Sequence, residues 1–96
     1  MDPAMDFFFR LYDDLIDNHF GIRKRLIRTN GRHVIEGVNK KRHIYTVEYN
    51  ENSLVVMIRR RTWLFCNKII ATIKIDVEND SAIQAALKNI KDILLK

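Results

Sequence analysis

The chain has 96 residues, an apolar fraction of 47% and a net charge of +5 at neutral pH. With only three glycines and one proline, this composition excludes a largely disordered chain and predicts one small folded domain over residues 1–96. No apolar run is long enough to cross a bilayer, and the N-terminus is acidic and aromatic, so we expect neither a membrane-spanning helix nor a signal peptide.

The single cysteine, Cys66, cannot form an internal disulfide, which favours a reducing compartment. We therefore expect a cytoplasmic protein, in the cytoplasm of the host if the gene is viral, and a buried, unreactive Cys66. Residues 1–4 allow a second interpretation of the N-terminus, in which they are not native and the natural chain starts at Met5.

The charge is segregated along the chain. Residues 1–22 carry a net charge of −4, residues 23–61 carry +8 and residues 62–96 carry +1. Such segregation creates a field over one part of the surface, so the basic middle segment predicts a site for an acidic partner. The alternative is that these cations only keep the domain in solution.

The first predicted element is an amphipathic helix. Pro3 suits the first helical position, with Asp2 as the cap before it. Gly21 is expected to end the helix in a left-handed conformation. A 4-3-4 spacing predicts an apolar stripe made of Phe8, Tyr12, Leu15 and His19.

Three consecutive phenylalanines, residues 7–9, cannot all point into one small core. Phe7 lies nearest the polar side of the predicted helix. We therefore expect it either to be an exposed contact, in a homodimer or with another partner, or to cover the rim of the sheet.

The middle of the chain predicts an antiparallel meander. Asn30-Gly31 is a strong two-residue turn signal, and polar segments at 39–42 and 50–53 are typical of further turns. Alternating polarity predicts strands at 23–29, 32–38, 43–49, 54–61 and 69–77, the last with Ile69 facing the core. Residues 61–68 allow either a bent continuation of the strand or a loop.

A second amphipathic helix closes the chain, with Ser81 and Gln84 as a capping box and Asp80 as a competing cap. Two such helices and a meander bury their apolar faces together if both helices pack on one face of the sheet. The predicted fold class is therefore α+β. It is a two-layer sandwich, an antiparallel meander of four to five strands with N- and C-terminal helices (α-β-β-β-β-β-α), both on one sheet face.

The candidate functional residues belong to the basic middle segment. Arg59, Arg61 and Trp63 alternate onto one side if the strand continues through them, which would combine phosphate contact with base stacking. In the competing interpretation, Trp63 and Phe65 are core residues. The arginines then lie on a sheet edge and prevent other strands from pairing with it. The complete candidate set is Arg23, Lys24, Arg25, Arg28, Arg32, Lys40, Lys41, Arg42, Arg59, Arg60, Arg61 and Trp63.

No pattern in the sequence predicts a metal site, a cofactor or a catalytic centre. His33, His43 and Cys66 lack the spacing of metal ligands, and the isolated glycines form no phosphate-binding loop. No nucleophile stands beside a base in a recognisable arrangement. We therefore expect no cofactor and no enzymatic activity.

The order helix, antiparallel strands, helix resembles that of double-stranded-RNA-binding domains, and the basic middle fits that class of partner. Their final helix has a lysine-rich start, whereas residues 79–84 here are Asn-Asp-Ser-Ala-Ile-Gln, so the resemblance lies in element order. We predict a non-catalytic module that binds nucleic acid and no membrane. The alternative is a protein-interaction module that docks on an acidic protein, such as an inhibitor, adaptor or regulatory subunit encoded by a phage or plasmid.

Overall fold

The computed structural model describes residues 3–28, 30–63 and 66–96, without the side chain of Arg28. The predicted cap Asp2 and the side chain of Phe65 lie outside this part of the chain. The elements are α1 (Pro3–Asp17), β1 (Gly21–Arg28), β2 (Arg32–Val38), β3 (Ile44–Asn50), β4 (Val55–Arg61), β5 (Asn67–Lys74) and α2 (Asp80–Leu94).

The five strands form one open sheet in the order β1-β2-β3-β4-β5, and each neighbouring pair is antiparallel. Short turns between consecutive strands force this arrangement. The predicted α+β sandwich with a meander sheet is therefore confirmed.

One face of the sheet packs against both helices. Tyr45, Val47 and Tyr49 alternate along β3, and all three are buried in a single core cluster. Phe8 from α1 and Leu87 from α2 belong to the same cluster, so the two helices share one side of the sheet. We call this side the helix face and the opposite side the open face.

Phe7 is fully buried, so its predicted role as an exposed dimer contact is wrong. Its ring packs edge-on against Tyr49 of the central strand, with 5.2 Å between the ring centroids. The buried stripe of α1 also includes Ala4, Phe8 and Leu11, and it is wide enough to take two adjacent residues. Phe7 thus covers the middle of the sheet rather than its rim.

The C-terminal end of α1 and the N-terminal end of α2 both differ from the prediction. His19, with φ of 64°, ends α1 in the left-handed conformation that was expected at Gly21. The His19 N–H donates to the Ile16 carbonyl and the Phe20 N–H to the Leu15 carbonyl, each at 2.9 Å, which is the pattern of a Schellman motif.

The N-cap of α2 is Asn79 rather than Ser81 or Asp80. The side-chain oxygen of Asn79 accepts a bond of 3.2 Å from the Ala82 N–H. Gln84 donates to the Asp80 carboxylate at 2.9 Å instead of closing a capping box.

A β-bulge changes which face of β5 each residue occupies. The β4–β5 pairing passes from Ile58↔Ala71 to Arg59↔Ile69, so Ile70 has no partner in the register. The extra residue reverses the alternation, and Ile69 lies 50% exposed on the open face instead of in the core. The strand also ends at Lys74 rather than at residue 77, although the next residue, Ile75, is buried.

Neither α1 nor α2, the helices of the described chain, is long and apolar enough to cross a membrane.

Candidate nucleic-acid interface

Strand register brings cations from four strands onto the open face. Residues paired across antiparallel strands point to the same side, so the alternation of buried residues on β3 assigns a face to every partner. Lys24 pairs with Glu36, and Arg32 pairs with Asn50. The cations that the described residues place on this face are Lys24, Arg32, Arg59, Arg61 and Lys74.

Two carboxylates interrupt these cations. The Glu48 carboxylate lies 3.6 Å from the Arg59 guanidinium, and the two side chains are 16% and 31% exposed. Glu36 stands opposite Lys24 in the register. The open face therefore has a net positive charge with an ion pair near its centre.

A depression of about 400 Å³ lies on the open face between β2, β3 and β4. Arg32 and Arg59 both line it, and the planar donors of a guanidinium match phosphate oxygens. The rest of the lining consists of Glu48, Asn50, Ser53, Val55 and Met57.

Trp63 is an exposed aromatic residue in the turn between β4 and β5. Strand β4 ends at Arg61, so of the two alternatives for residues 61–68 the continuation of the strand through Trp63 is wrong. Bonds from the Thr62 backbone and hydroxyl to the Cys66 carbonyl, 2.8 and 3.1 Å long, close the turn. Trp63 projects from this turn with 79% of its surface exposed, which also contradicts its interpretation as a core residue.

Among the described strand residues of the open face, none is aromatic. Tyr45 and Tyr49 point to the helix face, where they join the core. These strands therefore provide no aromatic side chain on which a base could stack in the middle of the open face. Trp63 offers a stacking surface only at one end of the sheet.

The basic turn between β2 and β3 lies at that same end, because alternate turns of a meander return to the same edge. Asn39, which is buried, organises the turn. Its side-chain oxygen accepts from the backbone of Lys41 at 3.1 Å and His43 at 2.9 Å, and its amide donates to the Leu94 carbonyl at 2.9 Å. The turn exposes Lys40, Lys41 and Arg42.

The candidate residues do not all gather on one surface. Arg28 and Arg32 lie at the opposite end of the sheet from Trp63, beside Gly31, and Arg23 is the exposed residue of a bulge in β1. Arg25 and Arg60 belong to the helix face, since they pair with Ile35 and Tyr45.

Arg25 has a structural role on the helix face. Its guanidinium carbon lies 5.1 Å from the centroid of the Phe9 ring and 4.9 Å from that of Tyr12, so it stacks over α1. This contact links the edge strand to the helix and keeps Arg25 away from the open face.

In the folded protein, the positive charge lies in the sheet layer and the negative charge lies in the helix layer. Residues 21–74, which hold all five strands, contain thirteen Lys or Arg against three Glu, a net charge of +10. The helical segments carry −4 over residues 1–20 and −1 over residues 75–96. The molecule is therefore strongly dipolar, with its positive side towards the sheet.

The potential metal ligands are separated. In the parts of the chain that are described, no three His, Cys, Asp or Glu side chains form a group that could hold a metal ion. His33 is buried and lies 3.1 Å from the Glu51 carboxylate, while His43 is half-buried beside Tyr45. Cys66 is exposed, contrary to the expectation of a buried thiol.

Lys74 was not among the sequence candidates for this surface, although it shares the open face with Arg59. The signal that could have found it is its place in the alternating pattern of the last strand, where Thr72 and Lys74 point away from the core. A single cation at an alternating position is a weaker signal in a sequence than a cluster of consecutive cations.

No family model matches the chain, and no curated protein or solved structure is similar to it. Charge, exposure and strand register are therefore the grounds on which a function can be proposed.

Proposed function

We propose that this protein binds nucleic acid through the open face of its sheet. The observation that carries this proposal is the division of charge between the layers, +10 for the strand segment against −4 and −1 for the helical segments. A polyanion would approach the sheet side and be repelled by α1, so the charge distribution favours one orientation of the complex.

The spacing of the cations suits a phosphate backbone. Strands lie about 4.8 Å apart, and residues on one face repeat about every 6.6 Å along a strand. Arg32, Arg59 and Arg61 thus form a two-dimensional array of donors that contacts several phosphates at once. Such contacts hold the ligand without reading its sequence, so we propose binding that is largely independent of sequence.

Trp63 would add a stacking contact at one end of this array. An unpaired base can stack on an exposed indole, whereas a base inside a duplex cannot reach it. The nearby turn cations Lys40, Lys41 and Arg42 would bind the backbone of the same strand. We propose that the open face contacts phosphates and that Trp63 favours ligands with an unpaired base at that end.

The proposal is tested by fluorescence anisotropy with labelled duplexes and single strands of DNA and RNA, each about 20 nucleotides long, in about 50 mM salt. Replacing Arg32, Arg59 and Arg61 together by Gln should weaken binding by more than about tenfold and lower the log–log salt slope by about 3. The matched control replaces Lys88, Lys91 and Lys96 of the helical layer by Gln, which removes the same charge.

If the two triple variants bind nucleic acid with the same affinity, binding depends only on the net charge and the open face is not the interface. Equal thermal stability of the two variants, measured by circular dichroism, excludes unfolding as the cause of any difference.

A second proposal, docking on an acidic protein, is favoured by the mixed chemistry of the open face. The half-buried Met57 and Val55 lie beside Glu48 in the depression, and protein interfaces combine apolar and charged groups in this way. Absence of nucleic-acid binding at low salt, together with retained folding, would favour this second proposal.

We further propose a non-enzymatic role in the cytoplasm. Cys66 is free and exposed, and a thiol in that position persists in its reduced form in a reducing compartment.

A further inference from the structure

The two edge strands of the sheet protect their free edges to very different degrees. On β1, Arg23, Lys24 and Arg25 are consecutive and exposed, and the register shifts at Arg23 because of a bulge. Charge and bulges both discourage another strand from pairing with an edge. The β1 edge is therefore blocked at its centre.

The β5 edge also has a bulge and two lysines, but it carries no charge in its middle. Its two lysines, Lys68 and Lys74, stand near the ends of the strand, and the five residues between them, 69–73, are uncharged. Ile69 and Ile70 are 50% and 39% exposed, and Thr72 is also exposed. The bulge at Ile70 affects the first half of the strand, whereas Ala71–Lys74 pairs regularly with β4.

We propose that β5 pairs antiparallel with β5 of a second copy of this chain, about a two-fold axis at Thr72. This axis sets Thr72 opposite its own copy, Ala71 opposite Ile73 and Ile70 opposite Lys74. Pairs of threonines across antiparallel strands are favourable. An axis one residue earlier would set Lys68 opposite Lys74, and like charges in that position repel.

A second copy is the partner that this register favours, because the uncharged segment Ala71–Ile73 of one β5 edge then meets the same segment of the other. An antiparallel pair of identical strands closes by a two-fold axis, and no further edge of the same kind remains. The axis is perpendicular to the sheet, so both open faces lie on the same side of a ten-stranded sheet. The pairing is independent of any nucleic acid.

Sedimentation velocity of the full chain over a wide concentration range tests this inference. The wild type should associate reversibly to a dimer. Ile70→Lys should raise the dimer dissociation constant by about tenfold or more, because it sets a lysine opposite Lys74 of the second copy. Ile27→Lys is the matched control, since Ile27 is likewise a well-exposed isoleucine but lies on β1, and it should leave the dimer intact.

A complementary pair of variants locates the axis. Thr72→Lys and Thr72→Glu should each be monomeric, because like charges would meet at the axis, and an equimolar mixture should form a heterodimer through the opposite charges. Recovery of the dimer in the mixture shows that both variants are folded. A wild type that stays monomeric at several hundred micromolar, equal dissociation by Ile27→Lys and Ile70→Lys, or a mixture that stays monomeric would each overturn the proposal.

Discussion

Arg59 and Glu48 form an ion pair on the open face, with 3.6 Å between the guanidinium nitrogen and the carboxylate oxygen. The register places them diagonally, because Arg59 is opposite Thr46 and Glu48 is opposite Met57. The pair partly neutralises one of the five cations that would meet a phosphate backbone. Glu48 thus competes with any anionic ligand for Arg59.

Removing the charge of Glu48 should strengthen nucleic-acid binding. In Glu48→Gln, Arg59 loses its intramolecular anion and the open face gains one net positive charge, so we expect affinity to rise several-fold at low salt. Anisotropy titration measures the change. Glu78→Gln, which removes an exposed carboxylate near the start of α2, is the control and should have little effect. An equal gain in both variants would contradict a role for the open face.

Trp63 should report binding directly, since it is the only tryptophan of the chain. Its fluorescence should be quenched by single strands and much less by blunt duplexes. Trp63→Ala should weaken single-strand binding by about 5- to 150-fold, the range that corresponds to the loss of one stacked base. Trp63→Phe should retain part of the affinity, and equal affinities of the wild type and Trp63→Ala would exclude stacking.

The architecture was predictable from short-range patterns. Asn30-Gly31 located the first hairpin, although the pairing of Arg28 with Arg32 makes the connection three residues long instead of two. The alternation of Tyr45, Val47 and Tyr49 identified the buried face of β3, and Pro3 marked the start of α1. Each of these signals acts within a few residues, where backbone preference and polarity decide the local structure. The positive charge of the middle segment was likewise evident from the distribution of charged residues along the sequence.

Features that depend on contacts between distant segments were not predictable. The bulge at Ile70 has no signature in composition, yet it turns Ile69 outwards. Arg25 was grouped with its cationic neighbours, but the rings of Phe9 and Tyr12 hold it on the helix face. The sequence placed the candidate cations in strands and turns, whereas the face that each strand cation occupies required the register.

Asn39 should be a structural residue rather than a binding residue. Its side chain is buried and bonds to the backbone of Lys41, His43 and Leu94, so Asn39→Ala leaves several polar groups without partners. We expect a loss of about 2 kcal/mol in the free energy of unfolding, measured by urea denaturation. The exposed Asn89 of α2 provides the control, because Asn89→Ala should be neutral or slightly stabilising.

Phe7 should contribute to stability and not to association. Phe7→Ala removes a ring that is completely buried against Tyr49, so we expect unfolding free energy to fall by about 3–5 kcal/mol. The milder Phe7→Leu keeps most of the volume and allows the oligomeric state to be measured in a folded chain. A Phe7→Leu variant with wild-type stability and a lost dimer would contradict the burial of Phe7 in the core.

The salt dependence of binding to a mixed-sequence duplex tests the central claim most directly. Contact of the five described open-face cations with phosphates predicts a slope of about −4 to −5 in a plot of log association constant against log salt concentration. The slope should be the same for duplexes of different sequence. Absence of binding at about 50 mM salt, or a slope near zero, would contradict nucleic-acid binding through the open face.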